Sequence, residues 1–105
     1  MRRLELTEIA RDDLKSIRRY SQRTWGPERT LQYMAGLRDT MKGLVAGTVL
    51  SRDRNDLKLG LRMTACGRHC VFFEANESRV LVLRVLHDKM DYPSHLEGDD
   101  TTKDE

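Results

Sequence analysis

The run Val80-Leu81-Val82-Leu83-Arg84-Val85-Leu86 is apolar on both faces apart from one arginine. A strand with one wet face alternates apolar with polar, so this run reads as a strand in the middle of a sheet. Arg84 is its anomaly. A lone charge inside an apolar strand is costly unless an acid pairs with it, either from this chain (Glu74 on the adjacent strand is the candidate) or from a partner. The rest of the chain must build the sheet around this strand from limited material. With 105 residues, 38% of them hydrophobic, it buries roughly 65% of its unfolded surface, enough for one core and no more. One domain over residues 1–96 is expected, followed by an acidic tail.

Arg3-Leu4-Glu5-Leu6-Thr7 alternates and suits a short half-buried strand. Thr7 is a plausible N-cap, with Glu8 in the positive first turn of a helix. Ala10, Leu14, Ile17, Ser21 and Trp25 then recur at helical spacing, with Ile9 and Tyr20 widening the stripe. Arg11, Asp12, Lys15, Arg18, Arg19 and Arg23 take the opposite face, and Trp25 reads as core. Gly26-Pro27 ends this helix and starts another, whose stripe is Met34, Leu37, Met41 and Leu44, with Leu31 and Val45 beside it. Gly47 closes the second helix. So short a connection makes an antiparallel helical hairpin. Thr48 to Leu59 reads as a loop, with Asp53, Asn55 and Asp56 as turn formers. Leu61–Ala65, His69–Glu74 and Val80–Leu86 are strands, turning at Gly67 and at Asn76-Glu77-Ser78. The fold class is therefore α+β: an N-terminal strand, a helical hairpin, a three-stranded antiparallel meander and a short C-terminal turn. The helices are expected to cover one face of the sheet, leaving the other to solvent or to a partner.

Cys66 and Cys70 have no second Cys or His pair at ligand spacing, which argues against a metal site, and they read as small sheet residues. No cofactor motif is present. No apolar run reaches the length of a membrane span, and the N-terminus lacks a signal-peptide core, so the cytoplasm is the expected compartment. The net charge of +2 divides unevenly: residues 97–105 carry −4 and residues 1–96 carry +6. The tail holds no apolar side chain and its composition predicts disorder. The basic body suits an acidic partner, either nucleic acid or an acidic protein segment. No ribbon or helix-turn-helix organisation is present, which argues against a DNA-binding regulator and against sequence-specific DNA binding by the chain alone.

Three stretches resemble the ParE/RelE toxin family over residues 3 to about 96. They are the strand-to-helix start Leu6-Thr7-Glu8-Ile9-Ala10-Arg11-Asp12-Asp13-Leu14-Lys15-Ser16-Ile17, the glycine-led aromatic strand Gly67-Arg68-His69-Cys70-Val71-Phe72-Phe73, and Val82-Leu83-Arg84-Val85-Leu86-His87-Asp88-Lys89-Met90-Asp91. The third is close to the signature of the ParE branch. The resemblance implies a RelE/ParE-like fold and the toxin of a type II toxin–antitoxin system. In the ParE branch it implies a ParD-like antitoxin as partner and DNA gyrase as target. In the RelE branch the same fold is a ribosome-dependent mRNA endonuclease, and fold alone does not choose.

Metal-free RNA cleavage needs a base, an acid and cations around the phosphate. RelE-type enzymes are similar in using arginine, lysine and a C-terminal tyrosine. Here His69 stands where those sequences more often carry arginine, and Tyr92 is the candidate tyrosine. Asp88 and Asp91 lie where cations are wanted. That departure favours a binding toxin over an enzyme, with no catalytic residues. Each residue also has a plain structural role open to it: His69 satisfied by a neighbour, and His87-Asp88 capping the turn 88–91. For antitoxin binding the candidates are Arg62, Arg68, Arg84, His87 and Met90, on an apolar and basic surface made from the open sheet face and the end of the helix hairpin.

Overall fold

A computed structural model describes residues 2–96; the disorder expected for 97–105 lies outside them. The elements are β1 (Arg3–Leu6), α1 (Glu8–Trp25), α2 (Pro27–Ala46), β2 (Arg52–Asp53), β3 (Arg62–Cys66), β4 (His69–Ala75) and β5 (Arg79–His87). They form a five-stranded sheet in the order β1-β5-β4-β3-β2. The α+β class, the hairpin and the antiparallel β3-β4-β5 meander are as the sequence predicts. Two features are additions. β1 runs parallel to β5, pairing Arg3–Leu6 with Arg79–Val82, and so makes β5 the interior strand its composition demands. Within the stretch read as a loop, β2 pairs two residues with β3.

Local chemistry explains the helix ends. The Thr7 hydroxyl accepts the Ala10 N–H at 3.0 Å, capping α1, and itself donates to the Leu83 carbonyl at 2.8 Å. Gly26 separates the helices at φ +90°, a conformation side chains resist, and Pro27 opens α2. The Arg2 guanidinium donates to the Leu44 and Val45 carbonyls near the end of α2, tying that end to the sheet.

Both faces of the sheet are buried. Ala10, Ile17, Leu37, Met41 and Leu44 of the helices pack on Val71, Phe73, Val80, Val82 and Val85. On the far side Leu61, Met63, Cys70, Phe72, Leu86 and Leu96 form a second cluster, flanked by Leu57, Leu83 and Tyr92. This corrects the expected open face: a single helical turn over 92–96 and the loop carrying Leu57 cover it. Three helix residues read as part of the apolar stripe instead face solvent: Ile9, Tyr20 and Leu31. Trp25, read as core, is 40% exposed. Cys66 packs with the helix-side cluster and Cys70 with the far one, both as free thiols, the structural role expected of them.

A β-bulge decides where Arg84 goes. Phe72 pairs with Arg84 but Phe73 pairs with Val82, leaving Leu83 as the extra residue. Strict alternation from Val80 and Val82 would put Arg84 beneath the helices. The bulge gives that place to Val85, and Arg84 moves to the Phe72 side. β1 ends opposite Val82, so the edge of β5 beyond it needs other partners, and Asp13 of α1 supplies one. Its carboxylate accepts the Val85 N–H at 2.9 Å and a two-pronged bond from Arg84, Nε to Oδ2 at 2.9 Å and Nη2 to Oδ1 at 3.0 Å. Arg84 Nη1 also donates to the His95 carbonyl at 3.4 Å. The acid is thus Asp13 and not Glu74, whose carboxylate meets Lys58 at 3.6 Å. Through Arg84 the first helix and the C-terminal turn are joined around the sheet edge.

Candidate functional site

An open cleft of about 430 Å³ lies where the C-terminal half of α1 meets the start of β4 and the end of β5. Ile17, Tyr20 and Trp25 form its apolar wall, His69 and His87 its floor, and Arg68 and Met90 its rim. Three of the five residues expected to bind an antitoxin, Arg68, His87 and Met90, come together here. The other two do not. Arg84 is held by Asp13, with only 13% of its side chain exposed. Arg62 lies at the β2 side of the sheet, donating to the Ser51 hydroxyl at 2.9 Å and to the Ser51 carbonyl at 3.1 Å.

Behind the cleft stands Tyr33 of α2, which sequence reasoning did not single out. Its hydroxyl accepts the Arg68 N–H at 3.0 Å, lies 3.3 Å from the Cys66 carbonyl oxygen and meets His69 Nδ1 at 2.6 Å. Burial pushes the His69 pKa down, and the neighbouring His87 pushes the same way, against Asp88 and Asp13. The neutral ring shares a hydrogen bond with the Tyr33 hydroxyl, and His69 is the satisfied strand residue the plain reading expected. Burial likewise raises the Tyr33 pKa, so this hydroxyl stays protonated. The turn leaves room for nothing larger than glycine: a Cβ on Gly67, at φ +59°, would sit 2.7 Å from the Tyr33 ring.

The aromatic rings continue as a chain along the cleft. Tyr20 meets Trp25 edge-on at 6.3 Å, Trp25 meets Tyr33 at 6.2 Å, Tyr33 meets His69 at 5.6 Å, and His69 meets His87 edge-on at 5.3 Å. Arg29 sits over Trp25 at 4.9 Å. His87 Nδ1 accepts the Lys89 N–H at 3.1 Å and lies 3.1 Å from Asp88 Oδ1, so His87-Asp88 does organise the turn that follows β5. The signal for Trp25 and Tyr20 was present in the sequence: a tryptophan in the last turn of an amphipathic helix, next to a glycine break, lies where cover runs out.

The residues considered for RNA cleavage are not assembled. His69 is on the helix side of β4 with Tyr33. Tyr92 is on the far side, its ring 4.9 Å from Phe72 and its hydroxyl 3.3 Å from Cys70 Sγ. Burial, reinforced by the Cys70 hydrogen bond, pushes the Tyr92 pKa up to about 12, far from the range of a general base at neutral pH. Arg84, the cation between them, is neutralised by Asp13. Among the described residues no group of three or more His, Cys, Asp or Glu side chains is placed to hold a metal ion. No described helix is long and apolar enough to cross a membrane.

Comparison with known proteins matches this architecture. The chain is 38% identical over 93 residues to Toxin ParE of Escherichia coli, covering 87% of this chain and 89% of the relative. It is 32% identical over 96 residues to Toxin ParE1 of Caulobacter vibrioides, covering 91% and 99%. Among solved structures, the chromosomal ParDE TA system from P. aeruginosa superposes with a TM-score of 0.71 at 23% identity, over 83% of this chain and 96% of that one. The E. coli DinJ-YafQ complex contains a chain of the same fold, with a TM-score of 0.60 at 14% identity over 83% and 93%. The profile of the ParE toxin of type II toxin-antitoxin systems, parDE, matches residues 4–92. With that profile spanning most of the chain and curated relatives above 30% identity over nearly its whole length, the protein belongs to the ParE toxin family of type II toxin–antitoxin systems.

Proposed function

We propose that this toxin acts in the cytoplasm by binding and not by chemistry: it inhibits DNA gyrase, and a ParD-like antitoxin neutralises it by laying an amphipathic, acidic segment into the α1–β4–β5 cleft. The observation that carries the reading is the division of polar groups across the sheet. The acid–base candidates His69 and Tyr92 sit on opposite faces, while the cleft gathers exposed apolar side chains beside Arg68. A preformed apolar surface with cations at its edge is what a folding-on-binding segment recognises. Membership of the ParE family supports gyrase as the target over ribosome-bound message.

The test uses the purified chain in two assays. Gyrase supercoiling is expected to stop while ribosome-bound message stays intact; message cut at defined codons overturns the reading in favour of a RelE-like endonuclease. The cleft is tested with the cognate antitoxin. Met90→Asp and Trp25→Ala are each expected to weaken the complex by about 2 kcal/mol or more, as for a buried anchor. Arg84→Ala is expected to lower the stability of the free toxin and leave antitoxin affinity nearly unchanged, because its acid is Asp13.

A further inference from the structure

The solvent face of α1 differs from the cleft beside it. Between Leu14 and Pro27 the chain carries Lys15, Arg18, Arg19 and Arg23 and no acid at all. All four are exposed, and none makes an ion pair among the described residues. Three other arginines are neutralised, Arg79 by Glu5 at 2.7 Å, Arg54 by Asp56 at 2.9 Å and Arg84 by Asp13, while Arg38, Lys42 and Arg52 are exposed on α2 and β2. Arg23 in the last turn complements the helix dipole, but that effect fades within one turn and does not explain Lys15, Arg18 and Arg19.

From this we infer that the outer face of α1 is a sequence-independent contact for the phosphate backbone of duplex DNA. The surface is convex; of the exposed residues between the cations, Ser16 and Gln22 are polar hydrogen-bonding groups, and Tyr20 belongs to the wall of the cleft alongside. Away from Tyr20 and the cleft, a protein segment laid there would have little apolar area to bury, whereas a regular polyanion needs only charge and hydrogen bonds. Residues 15 to 23 span about 12 Å of helix, which faces roughly three to four phosphates along one strand. The inference goes beyond the gyrase reading and stands or falls separately from it. A toxin holding DNA loosely here would have its cleft free for protein.

The experiment measures binding of the full chain to a fluorescent 20-base-pair duplex of arbitrary sequence against salt. Four phosphate contacts give a log–log slope of about −3.6, a loss of roughly 150-fold between 50 and 200 mM salt. The triple variant Lys15→Gln/Arg19→Gln/Arg23→Gln is expected to flatten the slope by about 2.7, with an unchanged melting temperature. A second triple variant, Arg38→Gln/Lys42→Gln/Arg52→Gln, removes the same charge from other exposed positions and is expected to leave the slope nearly intact. Equal losses in the two variants, or a wild-type slope shallower than about −1, overturn the assignment. So does tighter binding of an oligoglutamate peptide of matched charge, which would make this a face for acidic protein. Gyrase inhibition by the first triple variant reports separately on the function proposed above.

Discussion

The two faces of the sheet are buried by very different means. On one side two helices of 18 and 20 residues lie over Val71, Phe73, Val80, Val82 and Val85. On the other, one helical turn and a loop residue, Leu57, close over Leu61, Met63, Phe72 and Leu86. The difference teaches where a small fold places its binding surface. The thick layer has an end, where α1 and α2 meet, and there the apolar wall of Tyr20 and Trp25 runs past the sheet into the cleft. The thin layer has nothing to spare. Its tyrosine, Tyr92, is held against Phe72 and Cys70, while Tyr33 and His69 on the other side border an open surface.

Adjacent phenylalanines give the most direct test, since Phe72 and Phe73 are both buried but on opposite faces. Truncating either to alanine is expected to cost about 3–5 kcal/mol by chemical denaturation. Phe73→Ala should fall at the upper end, because two docked helices cannot collapse into the hole, and Phe72→Ala at the lower end, because a loop and a turn can. Equal costs would mean that the thin layer is as rigid as the helices.

Next in size is the clamp joining the layers. Asp13→Ala takes the two-pronged carboxylate from Arg84, whose side chain is 13% exposed, and the acceptor from the Val85 N–H. A loss of about 3 kcal/mol is expected, the low end for breaking a buried pair. Restoring stability with Arg84→Met in the same chain would show that the cost lies in the buried charge once its carboxylate is removed.

The helix-side polar cluster should matter less. Tyr33→Phe removes the partner of both the Arg68 N–H and His69 Nδ1, with an expected cost of about 1–2 kcal/mol. The pH dependence has a definite sign. The folded pKa of His69 lies below its ordinary 6.5, so the unfolded chain binds more protons in that window. Stability therefore falls as the solution is acidified through about 6.5 and toward the folded pKa. His69→Gln is expected to flatten this part of the profile. An unaltered profile would place the sensitivity in another group.

Tyr92→Phe is the smallest change, below about 1 kcal/mol, because a thiol is a weak hydrogen-bond partner. It should also remove the tyrosine that ionises near 12 from an alkaline ultraviolet titration. Loss of an earlier-ionising tyrosine instead would show that Tyr92 is not sheltered.

Several parts of this molecule were legible in the order of residues. The stripe through Ala10, Ile17 and Ser21 and the one through Leu37, Met41 and Leu44 carry the period of a helix, and Thr7, Gly26-Pro27 and Gly47 mark the ends. The apolar composition of Val80–Leu86 located the interior strand, and Arg84 announced a need for an acid. Of the binding candidates, Arg68, His87 and Met90 converge because the β3–β4 turn and the end of β5 are neighbours in an antiparallel meander. These are local or nearest-neighbour relations, and composition and spacing encode them directly.

Other features depend on distance in space. Asp13 and Arg84 are 71 positions apart, and only the parallel docking of β1, which carries the start of α1 along the edge of β5, brings them together. Glu74 looked the better partner because it is on the adjacent strand, but the bulge at Leu83 shifts the register and sets it opposite Leu81. The same one-residue slip decides that Val85 and not Arg84 enters the helix-side core, and no periodicity reveals it, since inserting one residue reverses the alternation after it. Tyr33 reaches His69 because two layers meet there, and Trp25 faces the cleft because the cover ends there. The sequence by itself determined the elements, their order and the presence of a charge requiring an acid, because each follows from short-range periodicity and the cost of burial. Which acid answers that charge, and which side chains line the cleft, only the tertiary structure decided, because both depend on strand register and on where the layers end.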